Sequence, residues 1–120
     1  MKLQIAIGKS RHDKTWVNKQ ILWEDFLERL KKTQRTHETL KEYLAMTIER
    51  QSEIKDVGGF VSGFLDKGRR LIKSVVSKQM LTLDVDEATV DFWDIVRIQF
   101  DCACAIYTTH KHQTTKPKYR

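Results

Sequence analysis

The run Leu81-Thr82-Leu83-Asp84-Val85-Asp86 constrains this chain more than any other segment. It alternates apolar and polar residues and ends in two acids two places apart. Alternation of this kind predicts a strand, and side chains at i and i+2 of a strand share a face. A buried strand is therefore expected over 79–85, with the carboxylates of Asp84 and Asp86 converging at its end. Two negative charges beside an apolar sheet are costly unless something positive sits between them. A hard divalent cation, Mg²⁺ or Mn²⁺, suits such a carboxylate pair. The plainer alternative is that Asp simply terminates a strand it disfavours.

Charge is distributed unevenly around this pair. Residues 67–78 (KGRRLIKSVVSK) carry five positive charges and no acid, and residues 108–120 (TTHKHQTTKPKYR) carry four and no acid. Between them, Asp84, Asp86, Glu87, Asp91, Asp94 and Asp101 face only Arg97. The whole chain is basic, at +6, which invites an anionic partner. An acidic island within a basic chain suits a metal-dependent enzyme acting on phosphates, although solvated charged faces would have the same composition. No apolar run reaches the ~18–20 residues that span a bilayer. The start, Met1 to Gly8, is too short and too quickly charged for a signal peptide. A cytoplasmic protein with no membrane partner is expected.

The remaining periodicities predict an α+β domain with a small sheet packed on about three helices. Leu3, Ile5 and Ile7 alternate and predict an opening strand. Gly8 to Asn18 is polar and reads as a loop. Trp23, Phe26, Leu27 and Leu30 make one helical face. Thr36 is placed to N-cap a second helix running to about Gln51, with Leu40, Tyr43, Leu44 and Ile48 as its stripe. A helix-turn-helix reading of 23–50 fails because the 31–35 linker is long and the second helix has mixed charge. The Gly-rich stretch 56–64 lacks the phosphate-loop pattern and suggests tight turns. Phe60 and Phe64 are expected mainly in the core, with base stacking as the alternative. Lys67-Gly68-Arg69-Arg70 reads as an exposed turn. A helix over 88–100, with Phe92, Ile95, Val96 and Phe100 inward, and a strand over 103–108 complete the chain. Cys102 and Cys104 have no ligand-spaced partners and are expected to be buried thiols.

Strand, helix and strand over 80–109 predict a right-handed crossover joining neighbouring parallel strands. That arrangement would place Asp86 and His110 at the same end of one sheet. Thr108 and His110, again two apart, would share a face there and offer O–H and N–H donors to phosphate oxygens. A strand end with solvated histidines is the alternative.

With these residues set out, a resemblance becomes visible. Asp84-Val85-Asp86 resembles the first motif of archaeo-eukaryotic primases, and Thr108-Thr109-His110 resembles their second. The strings VGGFVSGFLDKGRR, LTLDVDEATVDFWD and YTTHKHQTTKPKYR are similar to the amino-terminal region of virulence-associated E-like helicase-primase proteins of phages and mobile elements. The resemblance implies an RRM-like primase core and a DNA primase-type nucleotidyltransferase. It implies Asp84 and Asp86 as catalytic metal ligands for Mg²⁺ or Mn²⁺, and Thr108, His110 and Lys111 as nucleotide contacts. Lys67, Arg69, Arg70 and Lys73 would bind nucleic acid. Nucleoside triphosphates and a single-stranded DNA template are the implied partners.

The family's third motif supplies another acid, and no Asp or Glu follows Asp101. A single, truncated domain over 1–120 is therefore expected. Its strand-plus-helical portion would run over 1–56 and its motif-bearing portion over 57–120. Its activity alone would be weak or absent, with a helicase or the remainder of the domain completing it. The alternative is a non-catalytic module that binds nucleic acid or inhibits a host or phage protein.

Overall fold

The structure is a computed structural model that describes residues 1–120. It is an α+β fold with four α-helices and two small antiparallel sheets. Contacts divide it into two compact units, Met1–Leu81 and Thr82–Arg120.

The first unit is built on β1 (Lys2–Gly8). It is the central strand of an antiparallel sheet, with β2 (Val17–Leu22) on one side and β3 (Gly59–Ser62) on the other. The register pairs Ile5 with Lys19 and with Ser62. Alternation sends Leu3 and Ile5 to one face, where they pack with Phe26 of α1 (Trp23–Lys31). Phe60 of β3 meets the Phe26 ring edge-on at 4.9 Å. Ala6 packs instead with Trp16 and Leu65 in a second cluster. Burying a side chain as fully as Ile5, at 1% exposure, stabilises the fold by roughly 1.5–3 kcal/mol. Phe60 is thus a core residue, and β2 is a strand that its non-alternating sequence does not announce.

Two short helices stand where one long one is expected. α2 (Leu40–Ala45) begins at Thr39, not Thr36. The Thr39 hydroxyl accepts from Glu42 N–H, and the Glu42 carboxylate accepts from Thr39 N–H, a reciprocal cap. α3 (Ile48–Ile54) starts at a second cap, Thr47, whose hydroxyl accepts from Arg50 N–H. These caps divide the apolar stripe. Tyr43 is buried and donates to the Gln51 carbonyl, while Leu40, Leu44 and Ile48 stay exposed.

The second unit differs most from expectation. Only Val85–Asp86 of the anticipated strand is extended and paired, as β4, and Leu81 and Leu83 are exposed. A strand needs a partner, and within 79–86 only these two residues find one. That partner is β5 (Lys118–Tyr119), which runs antiparallel to β4. The helix is α4 (Phe92–Gln99), with Phe92 and Val96 half-buried and Ile95 and Phe100 exposed. Of residues 103–108, only the last two pair: Tyr107 exchanges backbone hydrogen bonds with Arg120, and Thr108 forms an isolated antiparallel bridge to Tyr119. The 84–86 and 107–109 segments therefore do run in the same direction. They are not neighbours, because Lys118–Arg120 lies between them, and the crossover of adjacent parallel strands is not formed. Cys102 and Cys104 are exposed rather than buried, since this unit has no interior to receive them. No helix of the chain is long and apolar enough to cross a membrane.

Candidate nucleic-acid interface and the paired acids

In the first unit, two segments distant in sequence are stitched together. Trp16 N–H donates to the Gly68 carbonyl at 2.8 Å. The Asn18 side chain donates to the Leu65 carbonyl and accepts from Leu65 N–H. Gly68 sits at φ 66°, and a Cβ there would come within 2.3 Å of the Trp16 carbonyl oxygen, so only glycine closes this contact. The Trp16 ring fills the space over Gly8, where a Cβ would lie 2.3 Å from it.

The loop between β1 and β2 is pinned by two carboxylates. Asp13 accepts from Lys9 N–H and Ser10 N–H. Asp56 accepts from the Ser10 hydroxyl at 2.7 Å and from Arg11 N–H. The Ser10 hydroxyl bond, followed by the backbone donors, holds the Asp56 carboxyl below the usual range despite some desolvation. Charge on Asp56 thus favours the loop conformation.

These contacts bring Arg11 and Lys14 against Arg69, Arg70 and Leu71. The result is an open cleft of about 210 Å³ lined by those residues and Asp13. The Arg70 guanidinium lies over the Trp16 ring, 4.9 Å from its centroid. Four cations and one carboxylate line the cleft, and none of the four cations is in a salt bridge. Like charges held together repel, so an anion entering the cleft is favoured.

Of the residues that the sequence marks for nucleic acid, Arg69 and Arg70 line this cleft. Lys67 is exposed in the turn just before them, at φ 51°. Lys73 is exposed in the following turn and does not line the cleft. Arg11 and Lys14 are the residues that sequence reasoning missed. Their signal was a basic loop, Lys9, Arg11 and Lys14, with a Ser10-to-Asp13 turn inside it.

In the second unit, Asp84 and Asp86 do share a strand face, but cations of the chain itself meet them. Asp86 accepts from Lys118 Nζ at 2.5 Å and Asp84 accepts from Arg120 Nε at 2.6 Å. The register explains this: Asp86 lies opposite Lys118, and Asp84 and Arg120 each stand one residue beyond the paired Val85 and Tyr119. The Arg120 hydrogen bond lowers the Asp84 pKa, and the same bond raises that of Arg120. Tyr107 lies beside this pair and its pKa is raised chiefly by burial.

Thr108 bridges Tyr119, so the pleat places it with Tyr119 and Val85 on the face opposite the acids. Tyr119 stacks parallel to Phe92 at 6.0 Å and contacts His112 at 5.3 Å. His110 and Lys111 lie in the turn that follows. Thr108 therefore lies on the other face of this small sheet from Asp84 and Asp86. The two carboxylates have the right chemistry for a hard cation, but no His, Cys, Asp or Glu joins them as a third ligand. A divalent ion there would displace Lys118 and Arg120. As folded, each of the two carboxylates is held in an ion pair.

Comparison with known proteins gives one result. Residues 1–120 match the family described as VapE N-terminal domain, and the chain belongs to that family. It corresponds to the amino-terminal region of VapE-like proteins of phages and mobile elements. No curated protein and no solved structure matches it.

Proposed function

We propose that this chain is the nucleic-acid-contacting region of a phage or mobile-element replication protein, and that the Arg11–Lys14–Arg69–Arg70 cleft is its contact surface. The observation that carries this reading is the convergence of four cations free of salt bridges, from two distant segments, on one open cleft. Arginine offers phosphate a planar fork of donors, and such contacts fix a strand without reading its sequence. Single-stranded DNA is the proposed partner.

Fluorescence anisotropy with a labelled single strand tests it. Binding should fall with added salt, and Arg69→Ala should weaken binding and reduce the log–log salt slope by about one. Binding that ignores salt, or that Arg69→Ala leaves unchanged, would remove the cleft from the interface.

The shared exposed face of Asp84 and Asp86 favours a second reading, that of a primase-type nucleotidyltransferase module. In it the two acids bind Mg²⁺ or Mn²⁺ in competition with Lys118 and Arg120, and Thr108, His110 and Lys111 contact the nucleotide. Calorimetry with Mn²⁺ tests it. Affinity should rise when Lys118 and Arg120 are both replaced by Ala and vanish with Asp84→Asn. Unchanged heats across these variants would sink it.

A further inference from the structure

We infer that the cleft receives a terminal phosphoryl group, such as the phosphorylated end of a nucleic-acid strand, in preference to the internal phosphodiesters of its backbone. This inference rests on the reading of the cleft as the nucleic-acid contact and narrows it to an end.

Size is the first argument. At about 210 Å³ the cleft is smaller than the ~300–1,000 Å³ typical of sites that enclose drug-sized molecules. A phosphoryl or pyrophosphoryl group fits that space.

Charge is the second. Arg11, Lys14, Arg69 and Arg70 against Asp13 leave a local excess of positive charge. An internal diester carries one negative charge. A phosphate monoester carries about −1.5 to −2 at neutral pH, with three strong acceptor oxygens. Cations grouped around one cleft match the monoester. A path along a strand would instead space them out to follow successive phosphates.

Preorganisation is the third. The Trp16 ring supports one face of the Arg70 guanidinium, and its N–H groups lie in the guanidinium plane for bidentate contact. Asp13 and Asp56 fix the loop that bears Arg11 and Lys14 through hydrogen bonds to its own backbone. A cleft held this way loses less freedom on binding.

Anisotropy with two oligonucleotides of identical sequence, one 5′-phosphorylated and one 5′-hydroxyl, tests the inference, with inorganic pyrophosphate as competitor. The phosphorylated strand should bind about tenfold tighter, the worth of one additional charge-assisted hydrogen bond. Arg69→Ala and Lys14→Ala should each erase that difference. Both side chains are exposed, so unchanged melting curves would confirm that the variants fold. Displacement of the phosphorylated strand by pyrophosphate, weakened by the same variants, would also support the phosphoryl site. Equal binding of the two strands, weakened equally by the variants, would overturn the inference and leave the backbone reading standing. Binding of neither strand would overturn both.

Discussion

The two compact units solve the problem of holding a chain together in different ways. Met1–Leu81 buries Leu3, Ile5, Ala6, Trp16, Phe26, Tyr43 and Leu65, and its strands join segments some fifty residues apart. Thr82–Arg120 buries no residue. It is held by a two-residue ladder, two exposed ion pairs and half-buried aromatics around Tyr119. Segments of about 40 residues seldom bury enough surface to be stable alone. The contrast teaches where each kind of site is secure. The basic cleft stands on a buried core, whereas the acid pair stands on contacts that water reaches.

The largest expected effect separates two tryptophans, one from each unit. Trp16 is 5% exposed and stands under the cleft, and Trp93 of α4 is 44% exposed. Trp16→Ala should cost about 3–5 kcal/mol, enough to remove most of the stability of a small domain. Trp93→Ala should cost roughly 1 kcal/mol or less. Trp16→Phe should be milder than Trp16→Ala, because the buried indole N–H makes no hydrogen bond to lose. Urea melts of the three variants check the order. Equal losses from the two alanine variants would break the contrast between the units.

The next effect is acid sensitivity. The Arg120 hydrogen bond depresses the Asp84 pKa in the fold. A depressed carboxylate stabilises fully above its unfolded pKa of about 3.9, and that contribution disappears as pH falls through the lower folded value. The pair is exposed, so its worth is about 0–1 kcal/mol. Asp56 is depressed in the same direction, but it holds a loop whose flanking strands are anchored in the core. Below about pH 4, the protection of the Tyr107 and Arg120 amides, which pair through their backbones, should fall relative to their intrinsic exchange rates. Amides of Leu3 to Ile7 should stay protected. Asp84→Asn should lower the protection of Tyr107 and Arg120 already at neutral pH and leave that protection little changed by acid. Protection at these two amides that persists to low pH would show that the ion pairs do not hold the second unit.

The same division explains what could be read from the sequence. Leu3, Ile5 and Ile7, the α1 stripe and the turn at Lys67–Arg70 were legible because each is a local pattern with a covering layer to satisfy. The split between α2 and α3 was also written locally, in Thr39, Glu42 and Thr47. A continuous apolar stripe hid it. β2 was not legible, because Val17–Leu22 is mostly exposed and is recruited by pairing with β1. Leu81, which ends the first unit, and Leu83, in the second, alternate correctly but find no layer to cover them. Asp84 and Asp86 were correctly placed on one face, yet their counter-charges came from Lys118 and Arg120, more than thirty residues on. Spacing shows that two acids will seek a cation. It does not show which cation the fold supplies. Likewise, only the fold shows that Arg11 and Lys14 meet Arg69 and Arg70.

The smallest effect gives the finest test of the comparison, because one backbone feature occurs in both units. Lys67 and Glu87 are the two non-glycine residues with positive φ, at 51° and 56°. A left-handed conformation costs an ordinary residue about 1–2 kcal/mol, which glycine avoids. Glycine also adds freedom to the unfolded chain, which returns roughly 0.4–1 kcal/mol of that gain. Each substitution should therefore stabilise its surroundings by about 0.5 kcal/mol. Lys67→Gly tightens a turn between the buried residues Leu65 and Gly68, so its gain should raise the midpoint of the main urea transition. Glu87→Gly acts next to β4, within the unit that has no buried residue. Its gain should slow amide exchange across 84–120 and leave the main transition where it was. If Glu87→Gly moved the main transition as far as Lys67→Gly does, the two units would be unfolding as one. The acid pair would then share the stability of the core on which the basic cleft is built.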